Sequence, residues 1–467
     1  MTTASLMAWV PILVVLFASG AIWISASGSR CVDDTHARWL GAMGLIGATA
    51  ASLVLWPRGA SVYSGFAVDH YALFFNMLLC AAVLFWLTIT RSGEQGPRRW
   101  ALILLSVAAA MVAAAALDLV VMVTAIQAVS IGTALLIASH SRESGVRLAA
   151  REFVPAVVCG TVALYGVALV YALTGTTRID DAMMRVAASS LEPNGVMMIA
   201  LALILAGLAW AAVVVPSRAW VAGGGAVGVM GLVAMFSAAA VLMRLMLTTF
   251  EPVRPDWQPV VAAFAAMLMI IGSVGAAGQT GVRRVAAYLT IAQVGLVLAG
   301  VVAGGESGRS AVLFSLVAHG LVSLAIGGAV TALLATAVPE DDLWDVTGLG
   351  YTRPVLAGLV AAGLLLLGGL PPGGGFHARW MVVQGAIAEG QRTVGLAAAV
   401  TGGVSMLVCL RLVVRLYRRG STSARGPVRE DRRMVVAVAV AVVLALLAGV
   451  MSGRLMPVVR AAGGPLF

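Results

Sequence analysis

The chain has 467 residues, of which 61% are hydrophobic and only 11% are charged. Its mean hydropathy is +1.00. A water-soluble core does not need so much apolar surface, so the composition indicates a protein whose solvent is the lipid bilayer and excludes a soluble catalytic domain. The net charge of +10 could suggest a nucleic-acid partner, but the arginines are spread among the loops, and membrane topology accounts for them better.

Apolar runs of about 17 to 25 residues, the length that crosses a bilayer, recur along the chain. The first is interpreted as a span and not as a cleaved signal peptide, because no arginine precedes it and no clean small-residue cleavage pattern follows it before Arg30. The prediction is an all-α integral membrane protein of about fourteen transmembrane helices, near 7–26, 38–56, 67–90, 97–116, 118–139, 152–174, 195–222, 224–248, 257–277, 283–304, 309–336, 355–388, 393–417 and 433–452.

The distribution of arginine predicts the orientation of these spans. Loops after odd-numbered spans hold most of the arginines, including those of the basic loop 415–433. Positively charged loops face the cytoplasm. With an even number of spans, both termini are therefore expected on the extracytoplasmic side.

Two interior spans contain residues that interrupt helices. The seventh meets Pro216 and ends before three consecutive glycines, and the twelfth meets Pro371 and Pro372, followed by Gly373–Gly375. Proline removes a backbone donor and cannot continue the hydrogen-bond ladder, so both spans are predicted to be discontinuous. Paired interruptions in two halves are typical of transporters. The alternative is that both are packing kinks without a functional role.

We predict a single membrane domain over residues 1–467, because no linker-like stretch divides the chain. Spans 4–8, about 97–248, and spans 9–13, about 257–417, would form two inverted five-helix repeats. In that arrangement the two interrupted spans take corresponding positions in the repeats.

Several segments resemble the antiporter-like membrane subunits of proton-pumping NADH:quinone oxidoreductase (complex I), a family shared with Mrp-type sodium/proton antiporters. The segment GLAWAAVVVPSRAW at 207–220 resembles the family's broken seventh helix, and GLPPGGGFHARW at 369–380 resembles its twelfth. Further matches, in family order, are FAVD at 66–69, RRVAAYLTIAQVG at 283–295, AHGLVS at 318–323 and GLG at 348–350. Subunit N is the nearest type.

The resemblance also implies a set of titratable side chains, and most of them are missing here. The family's glutamate of helix five falls on Gln127, and its lysines of helices seven and eight fall on Ala211 and Met235. An amide cannot accept a proton as a carboxylate does, and the other two positions are apolar. The chain contains no lysine at all, since all 30 of its Lys and Arg residues are arginine.

Three candidates for a proton path remain. Arg379 keeps a cation at the twelfth-helix site, but arginine stays protonated where a buried lysine would titrate. His319, in the middle of span eleven, could titrate near neutrality; the alternative is a hydrogen-bonded contact between helices. His377 could line the interrupted twelfth helix, with the same alternative.

These observations favour a membrane-arm subunit of a complex-I-type oxidoreductase in the bacterial inner membrane, one that contributes to or scaffolds proton translocation and whose own proton path is degenerate. The alternatives are a stand-alone or Mrp-like cation/proton transporter and the membrane subunit of a related hydrogenase-type complex. We expect no metal, no cofactor and no catalytic chemistry in this chain, because it has no dinucleotide fingerprint and no cysteine cluster. Its expected partners are other membrane-arm subunits, with redox subunits and quinone engaged indirectly.

Overall fold

A computed structural model describes residues 3–27, 33–59, 61–63, 65–90, 96–139, 144–188, 195–221, 225–279, 281–337, 347–418 and 432–464. The described residues of the N-terminal half form the helices α1 (Thr3–Ser27), α2 (Asp34–Leu55), α3 (His70–Ile89), α4 (Pro97–Ala115), α5 (Leu119–Ala138), α6 (Ser144–Thr174), α7 (Ile179–Ala188), α8 (Gly195–Ala209), α9 (Val215–Val221) and α10 (Gly225–Arg244). Single π-helical turns, Trp210–Val214 and Leu245–Thr249, join α8 to α9 and extend α10.

The C-terminal half is likewise helical throughout its described part. Its helices are α11 (Arg254–Ala277), α12 (Val282–Ala303), α13 (Gly305–Ala337), α14 (Leu349–Thr352), α15 (Pro354–Gly368), α16 (Gly374–Ala388), α17 (Arg392–Leu416), α18 (Arg432–Val450) and α19 (Ser452–Ala462). Short 3-10 helices at Trp56–Arg58 and Glu251–Val253 lie at the ends of spans. The prediction of an all-α membrane protein is confirmed.

Thirteen helical segments in the described ranges are long and apolar enough to cross a membrane. The predicted twelfth span is absent from that set because it is divided into α15 and α16, of 15 residues each. At 1.5 Å per residue, each half measures about 23 Å and falls short of a bilayer of about 30 Å. The two halves, joined through residues 369–373, together form the twelfth span and bring the total to fourteen spans.

The seventh span differs from its prediction. Its helical path is not interrupted at Pro216, which lies inside α9. The π-helical turn Trp210–Val214 precedes the proline instead. A π turn shifts the hydrogen-bond register by one residue, so the helix tolerates the missing proline donor without breaking.

Position in the bundle decides which apolar residues meet protein and which meet lipid. The most apolar stretch of α10 is buried at every residue, and those of α12 and α13 are mostly buried. Peripheral helices expose large apolar side chains, such as Phe17 on α1, Val260 on α11 and Leu407 on α17. In a membrane-spanning bundle these side chains form the lipid-facing surface.

Only one pair of strands lies in the described part of the chain, a hairpin between α2 and α3. Strand β1 (Ser61–Tyr63) pairs antiparallel with β2 (Phe66–Val68). The predicted third span therefore starts too early, because 66–68 is strand and α3 begins at His70. The amide of Leu117, in the α4–α5 connection, donates to the Gly65 carbonyl at 2.8 Å, so two consecutive connections on this side are tied together.

The connection after α6 is also hydrogen-bonded to the α4–α5 connection. Leu119 donates its amide to the Thr177 carbonyl at 2.9 Å, and Ile179 donates to the Leu117 carbonyl at 3.0 Å. Arg178 donates to the Asp180 carboxylate at 2.8 Å. This hydrogen bond holds the pKa of Asp180 below its usual range. Backbone hydrogen bonds thus link the connections at this end of α4, α5 and α6.

Candidate functional site

Gln127, where the family resemblance implies a glutamate, is tied to the neighbouring helix. Its amide donates from Nε2 to the backbone carbonyl of Ala156 on α6 at 2.8 Å. Gly160, one turn further along α6, lets the amide approach, since a methyl group there would overlap Nε2. The side chain therefore serves as a clamp between α5 and α6.

The space around Gln127 is almost closed. A cavity of about 10 Å³ lies between α5, α6 and the seventh span, lined by Gln127, Ser130, Gly160, Trp210 and Ala211 among others. Ser130 Oγ and Trp210 Nε1 are buried and have no hydrogen-bond partner in the described ranges. A water molecule needs about 10–15 Å³, so the volume is close to that of one water and far from that of a chain of waters.

The two other substituted family positions are buried and apolar, as their residue types imply. Ala211 is 2% exposed and lies in the π-helical turn, and Met235 is 1% exposed on α10. Met235 faces a separate cavity between α8, α10, α11 and α12, whose lining residues are all apolar. The structure thus does not gather Gln127, Ala211 and Met235 around one polar path.

Pro216 lies close to the one arginine of the seventh span. Arg218, two residues later, pairs with Glu152 of α6 at 2.7 Å and lies over the Trp210 ring at 5.4 Å. Because Arg218 is exposed at the end of the helix, this pair fixes the helix end and does not extend into the bilayer centre.

The twelfth span is interrupted where the sequence predicted. The left-handed conformation of Gly369, with φ of 90°, ends α15, and α16 starts again at Gly374. Pro371 and Pro372 lie exposed in the interruption. On the opposite side α18 packs closely, because a methyl group at Gly449 would overlap the Pro372 carbonyl.

His377 and Arg379 lie on different faces of α16. The His377 ring packs edge-on against Phe314 of α13, with ring centroids 5.3 Å apart. Arg379 runs along α17, where a methyl group at Gly402 would overlap its guanidinium. Residues two positions apart on a helix point about 200° away from one another, so His377 is not the partner of Arg379.

Arg379 lies between α16 and α17, and its Nε is buried. This Nε has no hydrogen-bond acceptor among the described residues. The carbonyls freed at the interruption do not reach Nε.

His377 faces an open polar cleft of about 790 Å³. The cleft lies between the N-terminal end of α13, α16 and the short α19, and Glu306, Ser310, Gln384 and Arg460 also line it. Arg460 and Glu306 approach to 3.7 Å at exposed positions. His377 on the interrupted helix is thus reached from an open cleft, whereas the cavity beside Gln127 is almost closed.

His319 is 4% exposed in the middle of α13. Its Nε2 lies 3.1 Å from the Ser323 hydroxyl, one turn away on the same helix. Because both residues belong to α13, this is a contact within one helix and not the contact between helices that the sequence offered as the alternative. A role in a proton path remains a prediction for both histidines.

The structure also contains a charged pair that the sequence does not reveal. Arg244 at the end of α10 is fully buried and lies 2.9 Å from the carboxylate of Asp69, the residue that caps α3. The guanidinium also lies 4.8 Å from the centre of the Tyr71 ring, and the Tyr71 hydroxyl donates to the Ala240 carbonyl at 2.7 Å. The FAVD segment and the arginine that ends span eight are visible in the sequence, but 175 residues separate the partners.

Comparisons with known proteins agree with this architecture. The sequence profile described as "NADH:quinone oxidoreductase/Mrp antiporter, TM" matches residues 116–405. NADH-quinone oxidoreductase subunit N 1 of Solidesulfovibrio magneticus is 32% identical, covering 82% of this chain and 84% of the relative. NADH-quinone oxidoreductase subunit N 2 of Rhizobium meliloti is 28% identical, covering 91% and 92%.

Solved structures share the fold along nearly the whole chain. A chain of respiratory complex I from Thermus thermophilus with bound aureothin superposes with a TM-score of 0.79 at 24% identity, covering 97% of this chain and 100% of that one. A chain of the Mrp complex from Dietzia sp. DQ12-45-1b gives 0.84 at 19% identity, covering 99% and 97%. The matched profile and the subunit N relatives together lead to one conclusion: the chain belongs to the NADH:quinone oxidoreductase/Mrp antiporter membrane-subunit family.

Proposed function

We propose that this chain is a subunit N-like component of the membrane arm of a complex-I-type NADH:quinone oxidoreductase, and that its N-terminal repeat does not carry protons. It scaffolds the arm, and any translocation through it uses the C-terminal repeat. It is a multi-pass protein of the bacterial inner membrane with both termini on the extracytoplasmic side. Its neighbours are other membrane-arm subunits, while redox chemistry and quinone belong to further chains.

The closure around Gln127 carries this proposal. Proton transfer through a membrane needs groups that gain and lose protons, connected by water. At the first-repeat site the amide of Gln127 is bound to the Ala156 carbonyl at 2.8 Å, and the adjoining cavity measures about 10 Å³. Ala211 and Met235 supply no titratable group on either side.

The C-terminal repeat offers a different environment, which is why the proposal leaves it a role. His377 lines a cleft of about 790 Å³ that also contains a carboxylate, two hydroxyl groups and a guanidinium. Such a cleft admits water to the interrupted helix. His377 is therefore the candidate for proton exchange in this repeat, and Arg379 contributes a fixed positive charge.

Purification of the native complex tests the assignment to a membrane arm. The tagged chain is isolated from the membranes of its own cells in mild detergent, and its companions are identified by mass spectrometry. We expect the redox subunits of an NADH:quinone oxidoreductase together with sister antiporter-like subunits. Isolation of the chain alone, or with Mrp-type companions and no redox subunits, would reject the assignment.

Pumping by the same complex in proteoliposomes tests the closed repeat. Gln127→Leu removes the amide, and we expect the number of protons moved per NADH oxidised to stay unchanged, because no proton passes this point. His377→Leu in the other repeat is the companion variant. A lower proton ratio for Gln127→Leu, with the complex still assembled, would show that the first repeat conducts.

A further inference from the structure

An apolar cavity of about 250 Å³ lies between α8, α10, α11 and α12. Its lining includes Ala206, Met235, Ala239, Phe264 and Val294, and every lining side chain is hydrophobic. These residues lie well inside their membrane spans and away from the helix ends. The cavity is therefore at the depth of the hydrocarbon layer.

The mouth of the cavity is continuous with the lipid-facing surface of the bundle. Val260 on α11 is 69% exposed and lines the cavity, as does Phe264, which is 38% exposed. Ala206 of α8 is exposed on the other side of the mouth. At the inner end, Met235 and Ala239 are 1% and 4% exposed. The cavity leads from the bilayer to the interior face of α10.

The lining restricts what can occupy this space. Buried water needs two to four polar partners, and apolar cavities of about 150 Å³ stay free of water and take up small hydrocarbons. Here no lining side chain has a polar group, and the neighbouring medium consists of acyl chains. On the α8 side, the mouth is lined by the small, exposed side chains of Ala202 and Ala206.

We propose that this cavity binds the acyl chain of a membrane phospholipid, which enters between α8 and α11 and ends near Met235. Met235 is the position at which the resemblance implies a lysine. The acyl chain therefore ends beside an uncharged side chain where the resemblance implies a charged one. By filling this volume with methylene groups, the lipid keeps water out of the N-terminal repeat. This last consequence rests on the proposed closure of that repeat, whereas the binding site itself does not.

Photo-crosslinking tests the site in the intact complex. The complex is reconstituted in nanodiscs of phosphatidylcholine that carries a diazirine at the end of one acyl chain, and labelled residues are mapped by mass spectrometry. We expect labelling at Met235 and Ala239, which lipid on the outer surface cannot reach. Leu407, 68% exposed on α17, is the positive control for surface lipid, and Phe236, fully buried on α10, is the negative control.

A variant at the mouth makes the test specific. Ala206→Phe blocks the entry, and labelling at Met235 and Ala239 should be lost while labelling at Leu407 persists. Ile270→Phe, on the exposed face of α11 outside the cavity, is the matched control and should leave all labels in place. Absence of label at Met235 and Ala239 beside a labelled Leu407, or labelling there by a diazirine isoprenoid quinone alone, would overturn the proposal.

Unchanged pumping in Gln127→Leu would support the closed repeat even if no lipid were found. Conversely, lipid labelling would stand even if the repeat proved to conduct. Failure of the lipid site and failure of the proposed function are therefore distinguished by separate measurements.

Discussion

Arg244 and Asp69 place a full charge pair inside the bundle, where only good geometry can offset the loss of hydration. Nη2 of Arg244 donates to Asp69 Oδ1 at 3.0 Å and lies 2.9 Å from Oδ2. Asp69 also accepts the amide of Ala72 at 2.7 Å, which anchors the start of α3. The pair joins the first helices of the chain to the most buried helix, α10.

Asp69→Asn is expected to lower the free energy of unfolding by about 3–5 kcal/mol, because it leaves the buried cation of Arg244 without its carboxylate. Thermal unfolding of the detergent-solubilised chain measures the effect. Asp256→Asn, at an exposed position on α11, is the matched control and should change little. Equal effects of the two variants would contradict the structural role of the pair.

Gln127→Glu combined with Ala211→Lys restores the two residue types that the family resemblance implies. We expect little gain in proton translocation by the purified complex, since the cavity between them measures about 10 Å³ and a pair of charges does not create a path for water. Proton movement per NADH oxidised, measured in proteoliposomes, checks this. A clear gain would mean that only the side chains were lost and that the path had survived.

Arg379→Ala is expected to destabilise the interrupted helix or loosen the assembly, because it removes a guanidinium that packs against Gly402 of α17. The Nε of Arg379 has no acceptor among the described residues, so we expect a carboxylate of a neighbouring subunit to pair with it. Arg379→Lys keeps the charge and should largely preserve the assembly. Native gel electrophoresis of solubilised membranes measures the amount of intact complex. If Arg379→Ala instead left assembly intact and abolished pumping, Arg379 would belong to a conducting path.

The two spans whose interruption the sequence predicts depart from regular geometry in different ways. The seventh span stays helical by forming a π turn before Pro216, whereas the twelfth separates into α15 and α16. The two consecutive prolines lack backbone N–H donors, and the three glycines that follow are too free in conformation to favour a continued helix. The interruption is held from outside by α18, which approaches the chain at Gly449.

Gly449→Ala is expected to lower the free energy of unfolding by about 1–3 kcal/mol, because the added methyl group overlaps the Pro372 carbonyl and must push α18 away. Gly403→Ala, on α17, is the matched control, since no heavy atom lies within 4 Å of its added methyl group. Thermal unfolding of both variants measures the difference. Equal stability would mean that α18 does not support the interruption.

For the whole molecule, thirteen long helices and the divided twelfth span give an even number of crossings. The short α19 that follows α18 has 11 residues, or about 16 Å of helix, and cannot cross a bilayer of about 30 Å. We therefore expect the chain to end on the side where it begins.

A reporter fused at Phe467 tests the orientation. We expect activity from an alkaline phosphatase fusion, which functions only outside the cytoplasm, because arginine is concentrated in the loops after odd-numbered spans. A green fluorescent protein fusion at the same residue should be dark when exported through the Sec pathway. The opposite pattern would reject the topology.

The sequence alone determined the membrane class, the number of spans, the interruption at Pro371 and Pro372, and the apolar residue types at Ala211 and Met235. These features are local, since hydropathy, proline chemistry and residue type act over one helix or less. The relation between the two repeats remains a prediction.

Tertiary structure decided which residues meet. It paired Asp69 with Arg244 across 175 positions, turned His377 and Arg379 to opposite faces of α16, and tied Gln127 to Ala156. It also replaced a predicted break at Pro216 by a π turn. Apolar composition cannot specify these outcomes, because nearly every face of these helices is hydrophobic, and only close packing between helices determines which face turns inward.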